Sequence, residues 1–494
     1  MTARLRLALA AILLLALGLR LYRLDYKSLW LDEACTWEYA KRPFEWCVKA
    51  EVTNPPGSFA VSWAALRVFG DSERGLRFPS ALAGVLATWL LFRLARRIAD
   101  EPTALLAAFL YAASGFSLRF AQEARTFSFL ACAVLASVEA TVMLLERPTL
   151  GRTTYYVLAS AAGLHFHYVF GFVVIAHNAL VAWMWWVRGR KELRFLAWAA
   201  VQGATGLLFL PWFAYMVGRV GPVHTDYITY PWGRVLALGF SFTWAYPRLY
   251  LSPGKDVMRL LADNWDLISV FFVVAVPIAV RGGMAAARTA RAGPVIATAI
   301  GVPVALALAL ASAGSVRFTN DRYLGFLCPF WTLLIAMGLR SIQDWRARLA
   351  AFAVVLVMAG MSLQYYYGIT EISSENWRDA SARVSSRRRT GDLVAICMPY
   401  MRYVYEYYDR GPKDLIELPH PNERTAASDA ELDQALAGRT RVWLVLGHVG
   451  SGADEAAWGK RLVELGFSRV GETAHFPSPF GNPAIEEYVR AYGH

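Results

Sequence analysis

The sequence is poor in the residues that close small extracellular folds or hold metals. Five cysteines are spread over 494 residues. No two stand in C-x-x-C spacing, which excludes a disulfide framework and a cysteine-built metal or redox motif. Cys132 and Cys328 lie in apolar runs and read as buried. Cys35 and Cys47 share one loop, either as two thiols or, in an oxidising compartment, as a bridge. Charge is also scarce, at 18% of residues, and there is no polybasic tail or low-complexity tract. The net charge of +12 therefore does not read as nucleic-acid binding. No nucleotide-binding fingerprint occurs in the polar C-terminal part.

What fills the chain instead is apolar sequence. Hydrophobic residues make up 56% and aromatics 14%, with 18 tryptophans, above the ~45–50% apolar content of a soluble domain. A spanning helix needs about 20 mainly apolar residues. Eleven runs meet or approach that length: 5–22, 78–95, 103–118, 126–145, 154–167, 169–187, 195–215, 266–280, 294–312, 323–339 and 349–367. The stretch 234–250, broken by Pro247, reads as re-entrant, interfacial or an additional span. Met1 to Leu19 resembles a signal peptide, but Arg20, Tyr22, Arg23 and Asp25 follow at once in place of a small-residue cleavage site, so it reads as a retained first span.

The basic residues give an orientation. Arg4 and Arg6, then Arg93, Arg96 and Arg97, then Arg147 and Arg152, then Arg188 to Arg194, then Arg281, Arg288 and Arg291, and finally Arg340, Arg346 and Arg348 fall on one side when the runs alternate. The positive-inside rule makes that side the cytoplasm. The loop 24–77, the turn 118–125, the segment 216–265, the loop 313–322 and the C-terminal tail then lie outside.

From about Thr370 the composition turns hydrophilic. Asp392–Cys397, Asp414–Leu418 and Arg441–Leu446 read as buried strands, and 376–389, 428–437 and 454–465 as helices between them. The expected fold is a polytopic α-helical membrane protein of about 11–13 transmembrane helices, spanning 1–369, followed by an extracytoplasmic α/β domain over 370–494 with a largely parallel sheet. That domain reads as a lid or an acceptor-binding accessory.

Polar residues at the outer helix ends cluster in three places: Asp32-Glu33, the turn Arg119-Phe-Ala-Gln-Glu-Ala-Arg125, and Arg317-Phe-Thr-Asn-Asp-Arg-Tyr323. Carboxylates with arginines at the membrane boundary suit an anionic headgroup, because the guanidinium fork matches phosphate oxygens. Each cluster also has a plain reading. Asp32 caps the following helix; Glu123 and Arg125 form an interfacial ion pair; Tyr323 belongs to the aromatic belt with Arg322 snorkelling. His165, His167 and His177 read as packing histidines, one of the first two facing a cavity. Asn54-Pro55-Pro56 reads as a helix start.

Taken in order, these pieces resemble the polytopic glycosyltransferases of the C superfamily, specifically the protein O-mannosyltransferase and lipid A aminoarabinose transferase group. The resemblance runs through Ser28-Leu-Trp-Leu-Asp-Glu-Ala34, Asn54-Pro-Pro56, Phe69-Gly70, Arg77-Phe-Pro-Ser80, Phe120-Ala-Gln-Glu-Ala-Arg125, Arg322-Tyr323 with Pro329, Glu375-Asn-Trp-Arg-Asp379 and Gly391-Asp392. It departs at Asn54, where the family often has histidine; asparagine hydrogen-bonds but does not titrate near neutral pH.

The resemblance implies sugar transfer from a polyprenyl-phosphate-linked donor to an acceptor hydroxyl on a protein, lipid or glycan at the outer face of the cell membrane, with inversion. Asp32 is then the general base and Glu33 its supporting carboxylate. Glu123 binds the sugar or a divalent cation, which Asp32 and Glu123 together could hold with waters completing the shell. Arg125, Arg322 and Tyr323 contact the donor phosphate, and Asn54, Pro55 and His167 position the loop or the acceptor. A multi-pass transporter or flippase of a lipid-linked substrate is the alternative. It is disfavoured because no internal repeat is evident and the polar clusters sit at helix ends, not at the midplane. A non-catalytic scaffold leaves the carboxylates and arginines unexplained.

Overall fold

A computed structural model of the chain describes residues 2–188, 193–219, 233, 235, 237–244, 265–368, 375–411, 413–447, 453–476 and 483–490. Most of the segment 216–265, including Pro247, lies outside the described residues, as does the side chain of Arg317. The chain divides into two compact units. One comprises Met1–Leu24 and Ala40–Gly368; the other comprises Asp25–Tyr39 and Ile369–His494.

The first unit is helical. Its elements are α1 (Ala3–Leu21), the last residues of α2 (Leu31–Lys41), α3 (Phe44–Lys49), α4 (Gly57–Phe69), α5 (Glu73–Ile98), α6 (Glu101–Ala112), α7 (Gly115–Ala121), α8 (Phe127–Glu146), α9 (Leu150–Phe166), α10 (Phe170–Arg188) and α11 (Phe195–Met216). After these come α12 (Leu238–Trp244), α13 (Trp265–Ala287), α14 (Ala292–Ser312), α15 (Cys328–Ser341) and α16 (Trp345–Gly368). Each of the eleven apolar runs coincides with helix. Among the described residues, seven helices are long and apolar enough to cross a membrane, or up to eight if the bent pair α6–α7 is one span.

The other apolar runs fall outside that test of length and composition for local reasons. The first helix carries Arg4, Arg6 and Arg20 within 19 residues. The α6–α7 pair bends by 60°. Two further apolar helices, α9 and the stretch Gly325–Ser341, are only 17 residues long. At seven residues, α12 is far too short to span.

Helix ends follow their capping chemistry. Asp100 accepts the Thr103 N–H at 2.7 Å to start α6, with a proline in its first turn, and Ser72 and Thr149 do the same for α5 and α9. A π-helical stretch, Phe271–Ala275, interrupts α13 just before Pro277, whose ring nitrogen has no hydrogen to donate to the helical ladder. Helices α13 and α15 pack backbone to backbone. A Cβ on Gly282 would fall 1.9 Å from the Leu334 carbonyl oxygen, and one on Gly338 would fall 1.9 Å from that of Ile278. Small residues permit this close approach where lipid offers no hydrophobic drive between helices.

The second unit is a six-stranded sheet with helices on both faces. Its strands are β1 (Leu393–Cys397), β2 (Asp414–Leu418), β3 (Arg441–Leu446), β4 (Phe467–Arg469), β5 (Ala474–His475) and β6 (Ala484–Arg490). Its helices are α17 (Trp377–Ser385), α18 (Met401–Tyr408), α19 (Ala426–Ala435) and α20 (Ala453–Glu464). The order is β2-β1-β3-β6-β4, with β5 also on β6. The trio β2-β1-β3 is parallel, as the alternating helices and strands imply, but β6 runs antiparallel to β3, β4 and β5, so the sheet is mixed.

Alternation along β1 sorts the core into two layers. Leu393, Ala395 and Cys397 pack with Leu432, Leu436 and Trp458 on one face. Val394 and Ile396 pack with Trp377, Val404, Tyr405 and Ala34 on the other. The presence of Ala34 shows that the segment 25–39 is built into this unit, far from it in sequence. All five cysteines are thiols, Cys35 and Cys47 included.

Candidate active site

In the C-terminal unit, the segment around Asp32 is held by a specific set of contacts. Leu29 N–H donates to Tyr408 Oη at 2.6 Å, and Arg378 N–H donates to Ser28 Oγ at 3.2 Å. The Arg378 guanidinium bonds the Asp25 and Tyr26 carbonyls at 2.8 and 2.9 Å. Trp37 stacks edge-on against Tyr407, with ring centres 4.9 Å apart, and Arg410 lies over both rings.

The Trp30 carbonyl accepts from Glu33 and Ala34 N–H, so α2 begins just before Leu31. Asp32 therefore sits inside the first turn and is not the cap that a loop aspartate suggests. There its charge, like that of Glu33, meets the positive end of the helix. Glu33 is buried and Asp32 half-buried. The Asp32 carbonyl accepts from Thr36 Oγ1 at 2.8 Å.

In the helical unit, the turn after α7 gathers the polar residues. Arg119 and Glu123, one helical turn apart and both almost fully buried, pair at 3.3 Å. Gln122 is the fastener. Its side-chain amide donates to the Arg20 and Tyr22 carbonyls at 3.0 and 2.8 Å, and its oxygen accepts from Tyr366 Oη at 2.9 Å. The turn is thereby tied to the ends of α1 and α16.

Arg20 supports the same place from below. Fully buried, it donates to Ala16 and Ala112 carbonyls at 3.2 Å each and to Ser117 Oγ at 2.9 Å. It thus satisfies a carbonyl exposed by the break between α6 and α7. Gly84 makes the room, since a Cβ there would fall 2.5 Å from Arg20 Nε. Arg77, also buried, donates to the Leu24 carbonyl at 3.0 Å.

Beyond the turn, Arg125 is half-buried, and Thr126 Oγ1 donates to the Phe166 carbonyl at 2.5 Å. Phe127 then meets His167 and Tyr323, with ring centres 6.2 and 6.5 Å away, while His167 and Tyr323 are 4.9 Å apart. His167 Nδ1 accepts the Val169 N–H at 3.1 Å, so a neutral ring carries its proton on Nε2. Arg322 is fixed through its backbone N–H to Asn320 Oδ1 at 3.2 Å, and its guanidinium lies 6.0 Å from the Tyr323 ring centre.

Asn54 donates to Glu51 Oε1 at 2.7 Å, and Pro55 is buried. Tyr168 Oη donates to the Val52 carbonyl at 2.8 Å, which places this loop on the end of α9 beside His167.

The helical unit thus brings Glu123, Arg125, His167, Arg322 and Tyr323 to one end of the bundle, with Asn54 and Pro55 against α9. Asp32 and Glu33 belong to the other unit. Arg20 and Tyr366 escaped the sequence reading. Arg20 looked like a flank of the first span and Tyr366 like one more aromatic in Tyr365-Tyr366-Tyr367. A lone arginine at the end of an otherwise apolar run was the available signal. Among the described residues, no group of three or more His, Cys, Asp or Glu side chains could hold a metal ion.

The fold, a bundle of membrane-length helices with a small α/β unit, is similar to that of solved membrane glycosyltransferases. The family model described as dolichyl-phosphate-mannose-protein mannosyltransferase matches residues 53–215, the stretch that holds Glu123, Arg125 and His167. Curated protein sequences give no match. Among solved structures, ArnT from Cupriavidus metallidurans in the apo state is similar over 97% of both chains, at 14% identity and a TM-score of 0.51. The Archaeoglobus fulgidus oligosaccharyltransferase tethered to an acceptor peptide covers all of this chain and 74% of its own, at 14% identity and a TM-score of 0.55. A second structure of that enzyme, with Zn and sulfate, gives 16% identity and a TM-score of 0.54 over 97% of this chain and 72% of its own.

Proposed function

We propose that the chain transfers a sugar from a polyprenyl-phosphate carrier to an acceptor hydroxyl at the outer face of the cell membrane. The observation that carries this reading is the buried turn Arg119–Arg125, inside the stretch the family model matches and fastened to the ends of α1 and α16 by Gln122. Burying charged groups at a helix end is costly unless they pair or act. The Archaeoglobus oligosaccharyltransferase has been solved with an inhibitory peptide and a dolichol-phosphate, a ligand pair of the kind proposed here.

In this reading the anionic phosphate of the donor meets Arg125 and Arg322, with Tyr323 and His167 lining the approach. Guanidinium forks suit phosphate oxygens and gain strength where water is sparse. Asp32 accepts the proton of the acceptor hydroxyl as that oxygen attacks the anomeric carbon. The bond from anomeric carbon to phosphate oxygen breaks, its electron pair leaves with the polyprenyl phosphate, and the configuration inverts. One base suffices, since the phosphate leaves without a strong acid. Glu33 orients Asp32, and Glu123 faces the sugar with its charge balanced by Arg119. Asn54 and Pro55 shape the loop on the acceptor side.

Among the described residues, no group of three or more His, Cys, Asp or Glu side chains could hold a divalent metal. No step is assigned to one. The arginine distribution supports an N-terminus in the cytoplasm and a C-terminal unit outside.

The test is release of polyprenyl phosphate by the purified full chain from a panel of polyprenyl-phosphate sugars (mannose, glucose, aminoarabinose) in the presence of an envelope extract as acceptor source. Asp32→Asn is expected to retain the fold and lose about 100-fold or more in turnover, the scale of general-base catalysis. Wild-type turnover by folded Asp32→Asn removes Asp32 from the chemistry. Absence of release from every donor rejects the reaction.

A further inference from the structure

A groove of about 720 Å³ runs along the helical unit between α5, α8 and α9. Its lining is apolar almost throughout, with Ala133, Ala159 and Ala162 leaving room along the floor and Phe129 and Phe166 closing one end. Leu82, Leu86 and Leu158 stand exposed beside it. From Pro79 to Arg93 it follows α5 for about 21 Å, at 1.5 Å per residue.

The far end is different in kind. Arg93, Trp89 and Tyr155 line it, and the Arg93 guanidinium lies 4.6 Å from the Trp89 ring centre and 5.9 Å from that of Tyr155. Behind them sits Glu139, only 1% exposed. It pairs with Arg93 at 3.0 Å and with Arg97 at 3.8 Å, and Tyr155 Oη donates to it at 3.2 Å. Arg97, Arg152 and Arg291 share Glu146, and Arg96 pairs with Glu101. Five arginines thus meet three carboxylates, so positive charge is in excess at this end of the groove. Arg93 keeps 30% of its side chain exposed there.

We propose that this groove is a binding site for an anionic glycerophospholipid. Its phosphate meets Arg93 between Trp89 and Tyr155, and one acyl chain lies in the groove toward Phe166. An apolar slot with a cationic, aromatic-flanked end is the complement of a phospholipid. A polyprenyl phosphate shares that chemistry, but the donor phosphate proposed above belongs to Arg125 and Arg322, at the opposite end of α5. Arg77, which marks that opposite end, is sixteen residues or about 24 Å from Arg93. A lipid anchored at Arg93 has its headgroup at the other membrane surface. The site depends on the membrane fold alone and stands or falls apart from the transfer reaction.

The full chain in detergent, mixed with phosphatidylglycerol and phosphatidylcholine of identical acyl chains, is read by native mass spectrometry. One phosphatidylglycerol is expected to be retained about fivefold over phosphatidylcholine, the preference one arginine gives for an anionic surface. Arg93→Gln is expected to bring the two lipids level. Because that change also disturbs Glu139, Ala159→Trp serves as the second variant: it fills the floor, keeps every charge, and is expected to remove the retained phosphatidylglycerol. Equal retention of both lipids by the wild type overturns the site. So does retention unchanged by Ala159→Trp in a protein with wild-type unfolding, or displacement of phosphatidylglycerol by an equimolar polyprenyl phosphate.

Discussion

Replacing Gln122 with methionine keeps the length of the side chain and removes both of its polar atoms. In the native turn that amide satisfies the carbonyls of Arg20 and Tyr22 and the hydroxyl of Tyr366, which is itself buried. A buried polar group left without its partner costs about 1–3 kcal/mol. Counting Tyr366 Oη and one of the two carbonyls, Gln122→Met should cost about 2–4 kcal/mol. Tyr366→Phe alone removes one hydrogen bond and leaves one amide oxygen wanting, about 1 kcal/mol. If the two side chains act as one fastener, the double variant should cost less than the sum by about 1 kcal/mol, since the second change no longer strands a partner. Denaturant titration of the four proteins in detergent, followed by tryptophan fluorescence, measures the cycle. Additivity within about 0.3 kcal/mol would refute the claim that this bond holds the turn to α16. A wild-type midpoint for Gln122→Met would refute the larger claim that the turn depends on Gln122.

Other consequences follow from the same kind of reasoning. In the C-terminal unit Asp409 is buried against Arg388 at 2.6 Å and Tyr405 Oη at 2.8 Å, so Arg388→Met, which strands the carboxylate, should cost about 3–5 kcal/mol and open α18 to limited proteolysis. Arg424 grips Asp429 with two nitrogens, at 2.6 and 3.0 Å, and the hydrogen bond holds that carboxyl below its usual range. The folded value is the lower one, so the stabilisation is present above the ordinary aspartate value of 3.8 and is lost as the pH falls through the folded value. Arg424→Gln should therefore unfold earlier than the wild type at pH 7 but nearly together with it once the pH is below that lowered value, which thermal scans at both pH values resolve. Burial pushes the Cys47 thiol up to about 11, so iodoacetamide at pH 8 should leave it unmodified until the protein is denatured; prompt labelling in the native protein contradicts its burial.

The parts of the fold that were legible are those in which a local pattern decides the outcome. Apolar length marked every major helix, because a lipid-facing helix must be apolar along its whole run. The strands β1 and β3 were legible as short buried runs, being covered on both faces, whereas β2, which also reads as buried, lies at the sheet edge with Asp414 exposed and only Leu418 buried. By contrast, β4 and β5 are too short to leave a pattern, and β6 carries Glu486 and Glu487 in its centre. Glu486 is nevertheless buried, because Tyr488 Oη and Thr473 Oγ1 donate to it. That satisfaction comes from tertiary neighbours and cannot be read along the strand. The same holds at the candidate site. Glu123 and Arg125 announced themselves as charges beside an apolar run, whereas Tyr366 and Arg20 gain their meaning only from Gln122 and from the α6–α7 break. The placement of Asp32 was the least legible of all, since Ala34 and Trp37 pack on residues that follow more than three hundred positions later.

That placement has a consequence for the order in which the protein is made. The segment 25–39 is synthesised more than three hundred residues ahead of the strands and helices it packs against. At ~5–20 residues per second, it waits on the order of half a minute for them. All the spanning helices enter the membrane during that interval. The segment carrying Asp32 therefore cannot reach its native packing on a chain that stops short, and premature truncation yields a membrane-embedded bundle whose Asp32 segment has no tertiary home. The C-terminal unit is what supplies the packing partners of that segment.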